Sequence, residues 1–122
     1  MESGERCRRE RNRGFMYKIR IEESFDSAHF LAGYEGKCSN LHGHRWRIVM
    51  EAKAETLHED GQLRGMVMDF GDIRRDLKEL ADSYDHAFIY ESGTFKPLTV
   101  QALQEEHFRL IEVPFRPTAE NF

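Results

Sequence analysis

Lys37-Cys38-Ser39-Asn40-Leu41-His42-Gly43-His44 places a thiol and two imidazoles within one short stretch. In an extended strand alternate side chains share a face, so His42 and His44 project together, with Cα atoms roughly 6.6 Å apart, and both can reach one ion. Gly43 puts no side chain on the opposite face, which suits a crowded site or a close backbone approach. Downstream the alternation continues through Trp46, Ile48, Met50, Ala52 and Ala54, with Arg45, Arg47, Glu51 and Lys53 on the other parity. This is the pattern of a half-buried strand, and it sets the two histidines at the end of an apolar face. Upstream, beyond the reversal Ala32-Gly33-Tyr34-Glu35-Gly36, lies an earlier run that opens with the alternating Tyr17-Lys18-Ile19-Arg20-Ile21 and ends near His29. As hairpin partners, the two runs bring His29 to the pair. Three neutral imidazoles with one open position are a catalytic zinc set, whereas structural zinc takes four protein ligands rich in cysteine. Spacing alone leaves Cys38 open as a fourth, structural ligand.

The rest of the chain supplies fewer chemical groups. Residues 1–15 read as a polar arm in which Arg6, Arg8, Arg9, Arg11 and Arg13 are interspersed with Glu2, Glu5 and Glu10, too poor in apolar side chains to order itself. His58-Glu59-Asp60-Gly61 reads as a turn. Asp69 is placed to cap a helix whose apolar positions Ile73, Leu77, Leu80, Ala81 and Tyr84 fall at helical spacing. Asp85-His86 follows; adjacency in sequence does not by itself make a dyad, and on the residues alone an ordinary surface or capping pair is the favoured reading. Residues 99–108 have helical character and residues 109–115 are extended. Pro117-Thr118-Ala119-Glu120-Asn121 reads as a helix start, with Thr118 able to cap.

At 122 residues, net charge −4 and pI near 5.9, the chain is one small domain and does not favour a direct nucleic-acid role. Its two cysteines, Cys7 and Cys38, argue against a disulfide framework and fit a reducing, cytoplasmic setting. No apolar run approaches the ~18 residues of a membrane span, and the first fifteen residues contain no secretory signal.

Several motifs occur in a fixed order: Phe25-Asp26-Ser27-Ala28-His29-Phe30, Gly36 to His44, Met66-Val67-Met68-Asp69-Phe70, Asp85-His86 and Pro117 to Asn121. Together they closely resemble the 6-pyruvoyl-tetrahydropterin synthase superfamily. The spacing of Cys38 from His42-Gly43-His44 resembles its bacterial branch, the 6-carboxy-5,6,7,8-tetrahydropterin synthases of queuosine biosynthesis. The resemblance implies an α+β tunnelling fold, an antiparallel sheet packed with helices, over residues 16–122. It also implies that the chain stops before the end of the second helix and the last two strands, so that no position matches the family's pterin-anchoring glutamate.

The resemblance further implies a cytoplasmic zinc-dependent lyase with Zn2+ on His29, His42 and His44, and with Cys38, Asp85 and His86 in proton transfer. Thr118 would contact a small-molecule pterin. The implied reaction converts 7,8-dihydroneopterin triphosphate to 6-carboxytetrahydropterin, releasing acetaldehyde and triphosphate. A pyruvoyl-type triphosphate elimination and an inactive truncated zinc-binding domain are the alternatives. Family members are hexamers with sites formed between subunits, which implies a homo-oligomer here.

Overall fold

The computed structural model describes residues 6–11 and 15–122. Strands β1 (Arg6–Arg11), β2 (Phe15–His29) and β3 (His42–Ala54) are followed by helix α1 (Phe70–Tyr84), strand β4 (Ala87–Glu91), helix α2 (Pro97–Glu105) and strand β5 (Leu110–Val113). The fold is α+β. Strand pairing runs β1-β2-β4-β5, with β3 also on β2. The chain divides into two compact units, Met1–Ser24 with Arg47–Asp82 and Phe25–Trp46 with Ser83–Phe122.

In the first unit β1 lies antiparallel to β2, with Arg6 opposite Arg20 and Arg11 opposite Phe15. The expected disorder of residues 1–15 is therefore not seen for 6–11, whose backbone gains a ladder of hydrogen bonds on the edge of β2. Residues 1–5, 12–14 and the Cys7 side chain lie outside the described residues. The unit's core is Ile19 and Ile21 of β2 with Ile73 and Leu77 of α1, against which Ile48, Met50, Ala52, Val67 and Phe70 pack. The alternation in β2 and β3 produces this directly, since odd residues of one strand and even residues of the other face the helix. Asp69 caps α1 as expected, its carboxylate accepting the Gly71 N–H at 2.7 Å. Leu80, expected on the buried face, is instead 46% exposed. The buried stripe is narrower, Ile73, Leu77 and Ala81, because these three already cover the strands.

The second unit corrects the expectation of an all-antiparallel sheet. β4 pairs parallel to β2, with Ser27 opposite Ala87 and Ala28 opposite Phe88. β5 then pairs parallel to β4. Parallel neighbours need crossovers, which α1 and α2 supply. β4 was not anticipated at all, yet Ala87, Ile89 and Tyr90 are among the most buried residues. Its short apolar run matches a strand buried on both faces, which carries no alternation to reveal it. Residues 97–105 and 110–113 form the helical and extended segments anticipated for this region.

Candidate metal centre and acid–base pair

Along β2 the buried parity runs from Ile19 and Ile21 through Phe25 and Ser27 to His29, so a histidine occupies the last position of an otherwise core-facing row. β3 answers it. Phe25 stacks on Trp46 with ring centroids 6.3 Å apart, and His29 meets His42 at 4.5 Å. His29 lies 5.0 Å from His44, and His42 lies 4.7 Å from His44. One candidate ligand nitrogen from each of the three can be chosen so that all lie within 4.8 Å of one another.

The orientation of two rings is fixed by carbonyls. His29 Nδ1–H donates to the Pro117 carbonyl at 2.7 Å, and His42 Nδ1–H donates to the Asn40 carbonyl at 2.7 Å. With the proton on Nδ1, Nε2 keeps its lone pair, and both Nε2 atoms are buried without a protein partner. Burial holds the His29 pKa below its ordinary value, an effect reinforced by the charges of His42 and His44 and opposed by the Pro117 carbonyl. Two buried Nε2 lone pairs, on His29 and His42, beside the exposed His44 fit a transition-metal ion.

Cys38 lies on a 3-10 turn, Lys37–Ser39, and is half-buried; its carbonyl accepts the Leu31 N–H at 2.8 Å. It is not part of the three-histidine cluster. Thr118 accepts backbone N–H groups from Asn121 and Phe122 in a turn and directly follows the Pro117 that supports His29.

Asp85 and His86 form the turn between α1 and β4. The β2–β4 register brings them beside Asp26: Asp85 Oδ1 accepts the Asp26 N–H at 2.9 Å, and the His86 N–H donates to the Asp26 carbonyl at 2.6 Å. Asp85 Oδ2 lies 2.9 Å from His86 Nδ1. The Asp26 N–H, with the His86 bond behind it, pulls the Asp85 pKa below the usual carboxylate range. Arg45, cross-strand from Asp26, donates to its carboxylate and lowers the Asp26 pKa in the same way. Asp26, Arg45 and His86 border a cleft of about 590 Å³ with apolar walls from Leu41, Phe88, Leu103 and Phe108. His44 also lines this cleft. Sequence reading missed Asp26, Arg45 and the two carbonyl supports. Only the alternation of charge at Asp26 and Arg45 hinted at a cross-strand pair.

The 6-pyruvoyl tetrahydropterin synthase family model matches residues 18–122. The chain belongs to the 6-pyruvoyl tetrahydropterin synthase family. Relatives in the family include the 6-carboxy-5,6,7,8-tetrahydropterin synthase of Haemophilus influenzae, 41% identical over 107 residues, which cover 86% of this chain and 75% of the relative. The enzyme of the same name from Synechocystis is 35% identical over 98 residues, 80% of this chain and 76% of the relative. Among solved structures, an uncharacterized protein from Wolinella succinogenes shares the fold at a TM-score of 0.68 and 20% identity, covering 87% of this chain and 78% of that one. The 6-pyruvoyltetrahydropterin synthase of Plasmodium vivax matches at a TM-score of 0.50 and 26% identity, over 63% of this chain and 45% of that one. Among the described residues no helix is long and apolar enough to cross a membrane.

Proposed function

We propose that this chain is a zinc-dependent lyase of the 6-carboxytetrahydropterin synthase type, acting in the cytoplasm in queuosine biosynthesis. It converts 7,8-dihydroneopterin triphosphate and water to 6-carboxytetrahydropterin, acetaldehyde and triphosphate. The observation that carries the reading is the pair of buried Nε2 lone pairs on His29 and His42, each enforced by a carbonyl on Nδ1, beside His44. Zinc on these residues would supply Lewis acidity toward the oxygens of the substrate side chain.

The protein's own groups do the rest. Asp85 holds the Nδ1–H of His86, which leaves Nε2 free to take or return a proton at the substrate. Cys38, on its turn four residues before His42, exchanges a proton at a different carbon. Separate groups are needed because carbon–carbon cleavage removes and returns protons at different atoms. The Leu41 and Phe88 walls suit a flat heterocycle, and Thr118, next to the Pro117 that supports His29, would contribute its hydroxyl or backbone to the pterin.

A second copy of the chain completes the site. Support comes from strand parity: Asp26 and Arg45, which hold the Asp85–His86 pair, face away from the row that carries His29, His42 and Trp46. A homo-oligomer, a hexamer as in the family, brings one copy's acid–base pair to another's metal.

The test is product analysis after incubating the zinc-loaded chain with dihydroneopterin triphosphate. Acetaldehyde together with 6-carboxytetrahydropterin is expected. Loss of triphosphate alone, leaving a 6-pyruvoyl product, would assign the pyruvoyl-type elimination, the activity named for the Plasmodium neighbour. No turnover by a chain that binds zinc would leave a metal-binding domain without this chemistry.

A further inference from the structure

Two carboxylates, not one, stand near the His86 imidazole. Asp85 accepts from its ring nitrogen, and Asp26 lies beside His86 across the β2–β4 register, its carbonyl accepting the His86 N–H. If both carboxylates competed for the ring, the bound proton would have no single address. Arg45 removes the competition: its Nε donates to Asp26 Oδ1 at 3.0 Å and its Nη2 donates to Asp26 Oδ2 at 3.3 Å, so both Asp26 oxygens are engaged. Asp85 is thereby left to serve His86, with its other oxygen fixed by the Asp26 N–H. The main chain tightens the arrangement, since His86 adopts a left-handed φ of 57° while its N–H donates to the Asp26 carbonyl. A non-glycine residue persists in that region only when its surroundings hold it there. Arg109 also acts on Asp85 and donates to the Ser83 carbonyl.

We infer that Arg45 is a positioning residue for His86: by holding the Asp26 carboxylate at two points it leaves Asp85 as the acceptor for the ring, and so keeps the His86 proton on Nδ1 and its Nε2 available. The kinetic part of this inference rests on the proposed role of His86 in proton transfer; the structural part does not. An exposed ion pair of this kind adds little to stability, so its removal leaves the fold in place for testing.

The experiment uses the zinc-loaded full chain, the Arg45→Met variant and the Asp26→Ala/Arg45→Met double variant. Histidine 15N spectra report which His86 nitrogen carries the proton. The parent chain is expected to show His86 protonated on Nδ1, Arg45→Met a shift toward the Nε2 form, and the double variant a return, because the competing carboxylate is gone while the Asp26 main chain remains. In turnover, Arg45→Met is expected to lower kcat about tenfold with KM little changed, and the double variant to recover most of that loss. An unchanged tautomer in Arg45→Met overturns the inference, as does a double variant no better than the single one. A parent chain without turnover would overturn the proposed function, while the spectra would still decide the role of Arg45.

Discussion

The same two strands build two different interiors. Where β2 and β3 meet α1, the inward row is Ile19, Ile21, Ile48 and Met50, and every group is apolar. Near the end of β2 and the start of β3, the inward row is Ser27, His29, His42 and Trp46, and each of these residues buries a polar atom without a protein partner. A buried polar atom left unpaired costs about 1–3 kcal/mol. The first interior therefore stabilises the chain, and the second is maintained at a stability cost for what it can bind. The difference teaches that the alternation fixes where a side chain points, while its chemistry decides whether that direction yields core or site.

Removing a ligand breaks the comparison most severely. His42→Ala is expected to abolish stoichiometric zinc and to cost more turnover than the 10–100-fold typical of losing an outer-shell partner. Metal analysis beside a circular dichroism spectrum checks it, and a zinc-bound variant of unchanged affinity would break the three-histidine assignment. The next effect concerns the two faces. Cys38→Ala and His86→Ala are each expected to lose about 10²–10⁴ in turnover while keeping zinc. Mixing and reassembling them should restore about a quarter of parent activity, the share of random pairings in which one copy supplies the thiol and another the imidazole. No restoration would mean that each chain works alone. Loss of zinc from Cys38→Ala would instead make Cys38 a fourth ligand.

At the apolar end, Leu77→Ala should cost about 2–5 kcal/mol in denaturant unfolding, with zinc per folded chain unchanged. Loss of zinc in parallel with stability would erase the distinction between the two interiors. The smallest expected effect is a pH dependence at the histidine end. Burial lowers the folded-state pKa of His29. The unfolded chain thus binds the proton more readily, and this residue's contribution to metal-free stability is full above about pH 6.5 and lost as pH falls from there through the folded value. Thermal unfolding of the metal-free chain at a series of pH values checks it, with His29→Gln expected to flatten the profile. An equally steep profile in that variant would assign the dependence to other groups.

Much of this was legible before any coordinates. The period-two rows through Ile19 and Ile21 and through His42, His44, Trp46 and Ile48 identify the strands and the inward parity. The helical stripe of Ile73, Leu77 and Ala81 identifies α1, and the motif order identifies the family. β4 was illegible because a strand buried on both faces shows no alternation, and the edge pairing of Arg6–Arg11 because a backbone ladder makes little demand on composition. Leu80 was misread because spacing marks a stripe but not its width. By itself, then, the sequence determined which residues share a face and which chemistry they carry, since both follow from local backbone geometry and side-chain type. Only the tertiary structure decided that the Pro117 carbonyl holds His29, that Arg45 claims Asp26, and that Asp85 and His86 gather beside Asp26. Those are matters of register between strands distant in the chain, which no local spacing encodes.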